Sequence, residues 1–182
     1  MKIILKFLTV IIIFCSCKKD TEEENGATII YKNVSLSVPV TTAFVYKFEI
    51  QQGYVADLTF SYYKVGNVYT VKYENNFASF FQCNGINNFI ETKKRDSLIV
   101  PNVTNNVGYK FLEVTINGST ITYPTTTNIK FDQEVYVPFY YFLDSSQTLP
   151  CVGWMRVKCT SSEFYIYDLA FRKVGEIKAG EK

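Results

Sequence analysis

The stretch LTFSYYKVGNVYTVKY, residues 58–73, leaves this chain little freedom in how it folds. Two runs of alternating apolar and polar residues flank Gly66-Asn67, a pair suited to the primed two-residue turn whose twist matches that of paired strands. Closing the turn there sets Val65 opposite Val68, Tyr62 opposite Val71 and Phe60 opposite Tyr73. Leu58, Phe60, Tyr62, Val71 and Tyr73 then share one face, and Thr59, Ser61, Lys72 and Glu74 share the other. An antiparallel pair with one dry and one wet face needs that division, and a slip of one residue would destroy it.

The same logic recurs in KFLEVTINGSTITY, residues 110–123. Asn117-Gly118 predicts the turn, because both central positions favour positive φ. That register sets Val114 against Ile121 and Leu112 against Tyr123. Further strands are expected over 28–38, 42–50, 98–100, 128–131, 134–143, 155–159 and 164–172. Asn76 as N-cap and Gly85 as a stop allow at most one short helix, near 76–85. About ten short strands punctuated by Gly, Asn and Pro predict an all-β chain, most simply an antiparallel β-sandwich, with a calycin-like β-barrel as the alternative.

The first residues carry a different message. Lys2 and Lys6 precede and interrupt an apolar run from Ile3 to Phe14. That is the layout of a secretory signal peptide, and the run is shorter than the roughly 20 residues a membrane-crossing helix needs. Phe14-Cys15-Ser16-Cys17 follows. It resembles the lipobox of bacterial lipoprotein precursors, in which a small residue precedes the cysteine that is lipidated and becomes the new N-terminus. The resemblance implies Cys17 as the lipidated residue, with Ser16 before it. Cys15 follows the bulky Phe14 and is expected to leave with the signal peptide. Four acids within Asp20 to Glu24 are a solvated tether. They also resemble the surface-export signal of Bacteroidota-type lipoproteins. The expected division is a signal peptide over 1–16, a lipidated acidic tether over 17–27, one β domain over 28–175 and a frayed tail over 176–182.

Composition then removes whole classes of chemistry. The sequence has no histidine, which excludes Ser-His-Asp and Cys-His catalysis and the common catalytic zinc sites. Without Lys2 and Lys6 the basic and acidic residues balance, so the charge excess that nucleic acid demands is missing. The one basic cluster, Lys93-Lys94-Arg95, reads as a turn tip. Asp132 and Glu134 are two residues apart, a spacing that paired-carboxylate hydrolysis tolerates, but a strand's outer face usually carries such acids as solvated groups. Asp132, Glu134 or Asp144 would be the ligands if calcium bound, with no EF-hand loop to support it. No cofactor is expected, and the chain reads as no enzyme.

Cys151 and Cys159 suit either a bridge across a tight hairpin or two buried thiols. Aromatic runs at 139–142 and 164–167 put rings on both faces of their strands. They read as core, or as the lining of a groove for sugar, peptide or lipid. Trp154 is the one tryptophan and the candidate ligand contact. Asp96-Ser97-Leu98 resembles the O-glycosylation sequence of the same bacterial group. The functional expectation is a surface or outer-membrane lipoprotein with a non-catalytic binding domain. Its partners would be the membrane through Cys17 and an outer-membrane protein complex or an extracellular glycan. Alternatives are a calycin-like carrier of an apolar ligand and an envelope-structural or adhesion module, with the periplasmic face as the other address.

Overall fold

A computed structural model describes residues 28–40, 42–51, 54–74, 79–82, 89–101, 107–108, 110–125, 127–142 and 149–182. No helix occurs among them. One sheet runs in the order β1 (Ile29–Pro39), β12 (Glu163–Arg172), β11 (Cys151–Cys159), β10 (Glu134–Tyr141), β5 (Ser79–Gln82) and β7 (Val107–Gly108). The facing sheet runs β2 (Thr42–Gln51), β3 (Tyr54–Val65), β4 (Val68–Glu74), β8 (Lys110–Asn117) and β9 (Thr120–Thr122). Neighbours within both sheets are antiparallel. Both sheets keep two edges, so the architecture is the β-sandwich and not the calycin-like barrel.

Rings fill the space between the sheets. Phe60 of β3 lies 5.5 Å from Phe111 and 5.6 Å from Phe164, while Phe81 lies 4.7 Å from Tyr73 and 5.1 Å from Phe111. Offset aromatic pairs at such spacings add to the burial of their area.

The first hairpin closes as its sequence predicts: Val65 pairs with Val68, Tyr62 with Val71 and Phe60 with Tyr73, and Gly66 takes φ 58°. In the second hairpin Asn117 pairs with Thr120 and Ile116 with Ile121, so the loop is Gly118-Ser119 rather than Asn117-Gly118. The neighbouring turn supplies the reason. Ile116 N–H donates to the Asn67 carbonyl at 2.9 Å, and the Asn67 amide donates to Asn117 Oδ1 at 2.9 Å, which holds Asn117 in the strand. Gly118, at φ 60°, then occupies the first central position, where glycine suits a type II′ turn. Each partner moves by two residues, and a two-residue shift preserves the faces.

One optional element is absent among the described residues, and two further expectations are corrected. The one short helix allowed near 76–85 is not formed over its described part, which is β5; there Phe81 pairs with Phe139 and is fully buried. Cross-sheet packing of that ring outweighs the local capping signal. The tail over 176–182 is not frayed. β6 (Leu98–Ile99) pairs with β13 (Ile177–Lys178), and Ile99, Ile177 and Ala179 are buried on the outer face of the six-stranded sheet against Val152, Trp154 and Ala170. This third layer explains why β11 is apolar on both faces. Trp154 is consequently core, 0% exposed, with its indole N–H donating to the Glu181 carbonyl at 3.1 Å, and it is not a ligand contact.

Cys151 and Cys159 are both buried thiols. They lie at opposite ends of one strand, not across a hairpin. Eight strand steps separate their Cα atoms by about 26 Å, whereas a disulfide needs them within about 7 Å. Burial pushes the Cys159 thiol up to about 12 from its ordinary 9.0. The folded state thus holds this proton more tightly than the unfolded chain. The resulting stability is complete below pH 9.0 and is lost as pH rises toward about 12. Tyr140, pushed by burial from 10.0 to about 12, acts in the same direction. Melting temperatures should therefore fall between pH 8.5 and about 11. Cys159→Ala should flatten that fall, and thiol reagents should label Cys159 only on unfolding.

Candidate functional site

The third layer covers the six-stranded sheet's outer face around Val152, Trp154 and Ala170. At the margin of this covered patch sits Asp168, 2% exposed, the sort of buried carboxylate that must find partners. It finds three. Arg156 grips it with Nε at 2.8 Å and Nη2 at 3.0 Å, Tyr31 donates its hydroxyl at 2.8 Å, and Lys182 approaches to 3.6 Å. Arg156 also reaches Glu134 with Nη1 at 3.1 Å. The hydrogen bonds to Asp168, opposed by desolvation and aided by Glu134, raise the Arg156 pKa further and hold it charged. A two-pronged guanidinium–carboxylate pair fixes orientation as well as charge.

A bulge makes this arrangement. Arg156 pairs with Asp168, but the next residue, Val157, pairs with Ile166, so Tyr167 is the extra residue. β1 loses register at the same place, between Asn33 and Leu36, with Ser35 at φ 48°. Bulges re-aim side chains. Here Tyr167 and Asp168 both reach the outer face, and the Arg156 guanidinium lies 5.1 Å from the Tyr167 ring centre. Tyr165 stands parallel to Tyr167, with centroids 6.1 Å apart and planes 8° apart. The Tyr165 hydroxyl donates to Glu163.

Two depressions flank this centre. One, of about 240 Å³, lies on the seam between β1 and β12 and is lined by Ser35, Leu36, Ser37, Tyr165, Ile166 and Tyr167. The other, of about 420 Å³, lies beside β10 and is lined by residues 92–95 and 133–136. Glu134 bounds the second and Tyr167 the first, and Arg156 touches both residues. Together they form a polar and aromatic strip crossing β10, β11, β12 and β1. Three strand spacings give it a span of about 14 Å.

Glu134 and Asp132 are committed to cations, Glu134 to Arg156 and Asp132 to Lys158 at 3.4 Å. Asp132 and Glu134 thus form two cross-strand ion pairs and do not converge on a common point. Among the described residues no group of three or more acidic, cysteine or histidine side chains is arranged to hold a metal ion. Asp144, Cys15, Cys17 and the tether lie outside the described residues. Lys93-Lys94-Arg95 does form a turn, since Ser97 N–H donates to the Lys94 carbonyl at 3.1 Å, but it also walls the larger groove. Asp96, at φ 65°, and Ser97 sit on that exposed turn.

Sequence reasoning passed over the Asp168–Arg156 pair. The signal was present: one acid in FYIYDLAF, a strand apolar on both faces, requires a cation from a neighbour, and Arg156 is the cation within GWMRV. No family model matches the chain, and neither a curated protein nor a solved structure matches it.

Proposed function

We propose that this chain is a lipid-anchored lipoprotein of the outer membrane, facing the cell surface, whose β-sandwich binds an extracellular polymer without catalysing its breakdown. The observation that carries the binding half is the strip itself. A pinned arginine and two parallel tyrosines join two open depressions on a sheet face that the third layer seals around Trp154. A rigid row of rings and donors suits a repeating ligand, because little side-chain freedom remains to be lost on binding. Ion-paired carboxylates favour holding over hydrolysis. The lipobox resemblance at Cys17 and the acids behind it support the anchor and the address, and the acidic tether gives the domain reach from the membrane.

Two measurements test this. Radiolabelled palmitate should enter the wild type and Cys15→Ala but not Cys17→Ala, and equal loss from both variants would defeat the anchor assignment. Affinity electrophoresis of the mature chain through gels containing a panel of neutral and acidic polysaccharides should show retardation by at least one. Tyr167→Ala should weaken that retardation, and free migration through every gel would end the polymer reading.

A further inference from the structure

The geometry points to the β10-side groove as a subsite for an acidic substituent, and so to an anionic polysaccharide, carrying carboxylates or sulfates, as the ligand. This deepens the polymer-binding reading and rests on it. The charges around the groove are unequally committed. Lys93 is tied to Glu91 at 2.6 Å, and Glu134 is tied to Arg156 at 3.1 Å. Lys94 and Arg95 are exposed and make no ion pair among the described residues. Of the residues lining the groove, two cations are uncommitted and no carboxylate is; Asp96, the next acid along the turn, lies outside the lining.

Its wall is built rather than incidental. Tyr136 stands edge-on to the buried Trp154 at 5.4 Å, and its main-chain carbonyl accepts from Lys93 N–H at 2.7 Å, which anchors the basic segment beside β10. Gly180, at φ 86°, faces Tyr136 and Arg95. A β-carbon there would lie 3.2 Å from the Tyr136 hydroxyl and 3.3 Å from Arg95 Cγ, so glycine lets both side chains sit against the C-terminal turn.

The rest of the strip decides what kind of anion fits. A free small anion would use the groove alone, whereas the continuation past the ion-paired Arg156 to Tyr167 and Tyr165 offers a chain further ring faces. β10, β11 and β12 each have neighbours on both sides, so no strand edge lies under the groove or Arg156 for a peptide to extend; the sheet edge is at β1, the far end of the strip. The ligand must be held by side chains, through ring faces, hydroxyls and charge. Two uncommitted cations are too few for a nucleic-acid backbone, which is neutralised at many phosphates.

The test uses the full mature chain in detergent with defined probes: polygalacturonate, dextran sulfate, neutral dextran and poly-glutamate. Either or both acidic polysaccharides should bind, weakening as salt rises, while dextran and poly-glutamate bind far less. Preference between the two reports which acid the subsite takes. Lys94→Gln with Arg95→Gln should reduce affinity about tenfold while leaving the melting temperature unchanged. Binding only to neutral polysaccharide, or acidic binding indifferent to the double substitution, overturns the subsite and leaves polymer binding standing. Poly-glutamate binding as strongly overturns the sugar assignment. No binding to any polysaccharide, here and across the wider panel, removes the underlying reading as well.

Discussion

Phe111→Ala should cost about 3–5 kcal/mol, the usual toll for emptying a buried phenylalanine site. Phe111 is 1% exposed on β8 and meets Phe60 at 5.5 Å, Phe81 at 5.1 Å and Phe164 at 5.1 Å. Those partners belong to β3, β5 and β12, so one ring ties its own sheet to two strands of the other. The cavity has little means of collapse, because each neighbour is itself held by a further ring. At roughly 2–4 °C per kcal/mol for a domain of this size, the melting temperature should fall by about 6–20 °C. Val65→Ser, at a hairpin tip 69% exposed, should move it by less than about 1 kcal/mol. A Phe111/Phe164 double-mutant cycle should show coupling of about 1 kcal/mol. Additive losses would mean that the rings act as independent bulk, and a small Phe111→Ala effect would contradict the packing between the sheets.

What could be read in the chain and what could not divide along a physical line. Local signals with one geometric solution were decisive: Gly66-Asn67 with alternation on both sides fixes a turn, a register and two faces. Asn117-Gly118 carries as strong a signal, yet the turn moves one residue on, because Asn67 in a different hairpin captures Ile116 N–H. No reading of residues 110–123 alone contains that contact. No helix forms over the described part of 76–85 for a similar reason, since the Phe81 ring is claimed by Tyr73, Phe111 and Phe139.

The strand CVGWMRVKC misled most. Its two cysteines suit a bridge across a tight hairpin as well as buried thiols, whereas a strand buried on both faces also reads as an apolar run without alternation. The covering layer comes from residues 97–99 and 177–181, distant in sequence and weak in pattern. The candidate site was half visible. Lys93-Lys94-Arg95 and the Tyr165/Tyr167 pair stood out by composition. Their alignment on one face depends on a bulge that places Tyr167 and Asp168 on the same side, and a strict two-residue alternation forbids that placement.

Gly153→Ala should destabilise the domain by about 3 kcal/mol, at the upper end of the range for overpacking. In an ordinary strand the same change gains about 0.5–1 kcal/mol, because alanine loses less backbone freedom on folding. Here the clash outweighs that gain. A β-carbon at position 153 would lie 2.5 Å from Phe139 Cζ and 2.6 Å from the Ala170 carbonyl oxygen. Phe139 is the cross-strand neighbour of Gly153, and its ring occupies the space a side chain would take. The ring can be shortened, but the carbonyl cannot be moved so easily. Ala170 belongs to β12, which is paired with β11 on one side and β1 on the other. Phe139→Leu combined with Gly153→Ala should therefore recover only part of the loss in urea unfolding. Full recovery would show that the ring alone demands glycine, and a neutral or stabilising Gly153→Ala would mean that β11 and β12 can part at their centre. Glycine is needed in this strand for the close approach of a ring and a backbone oxygen, with no turn involved.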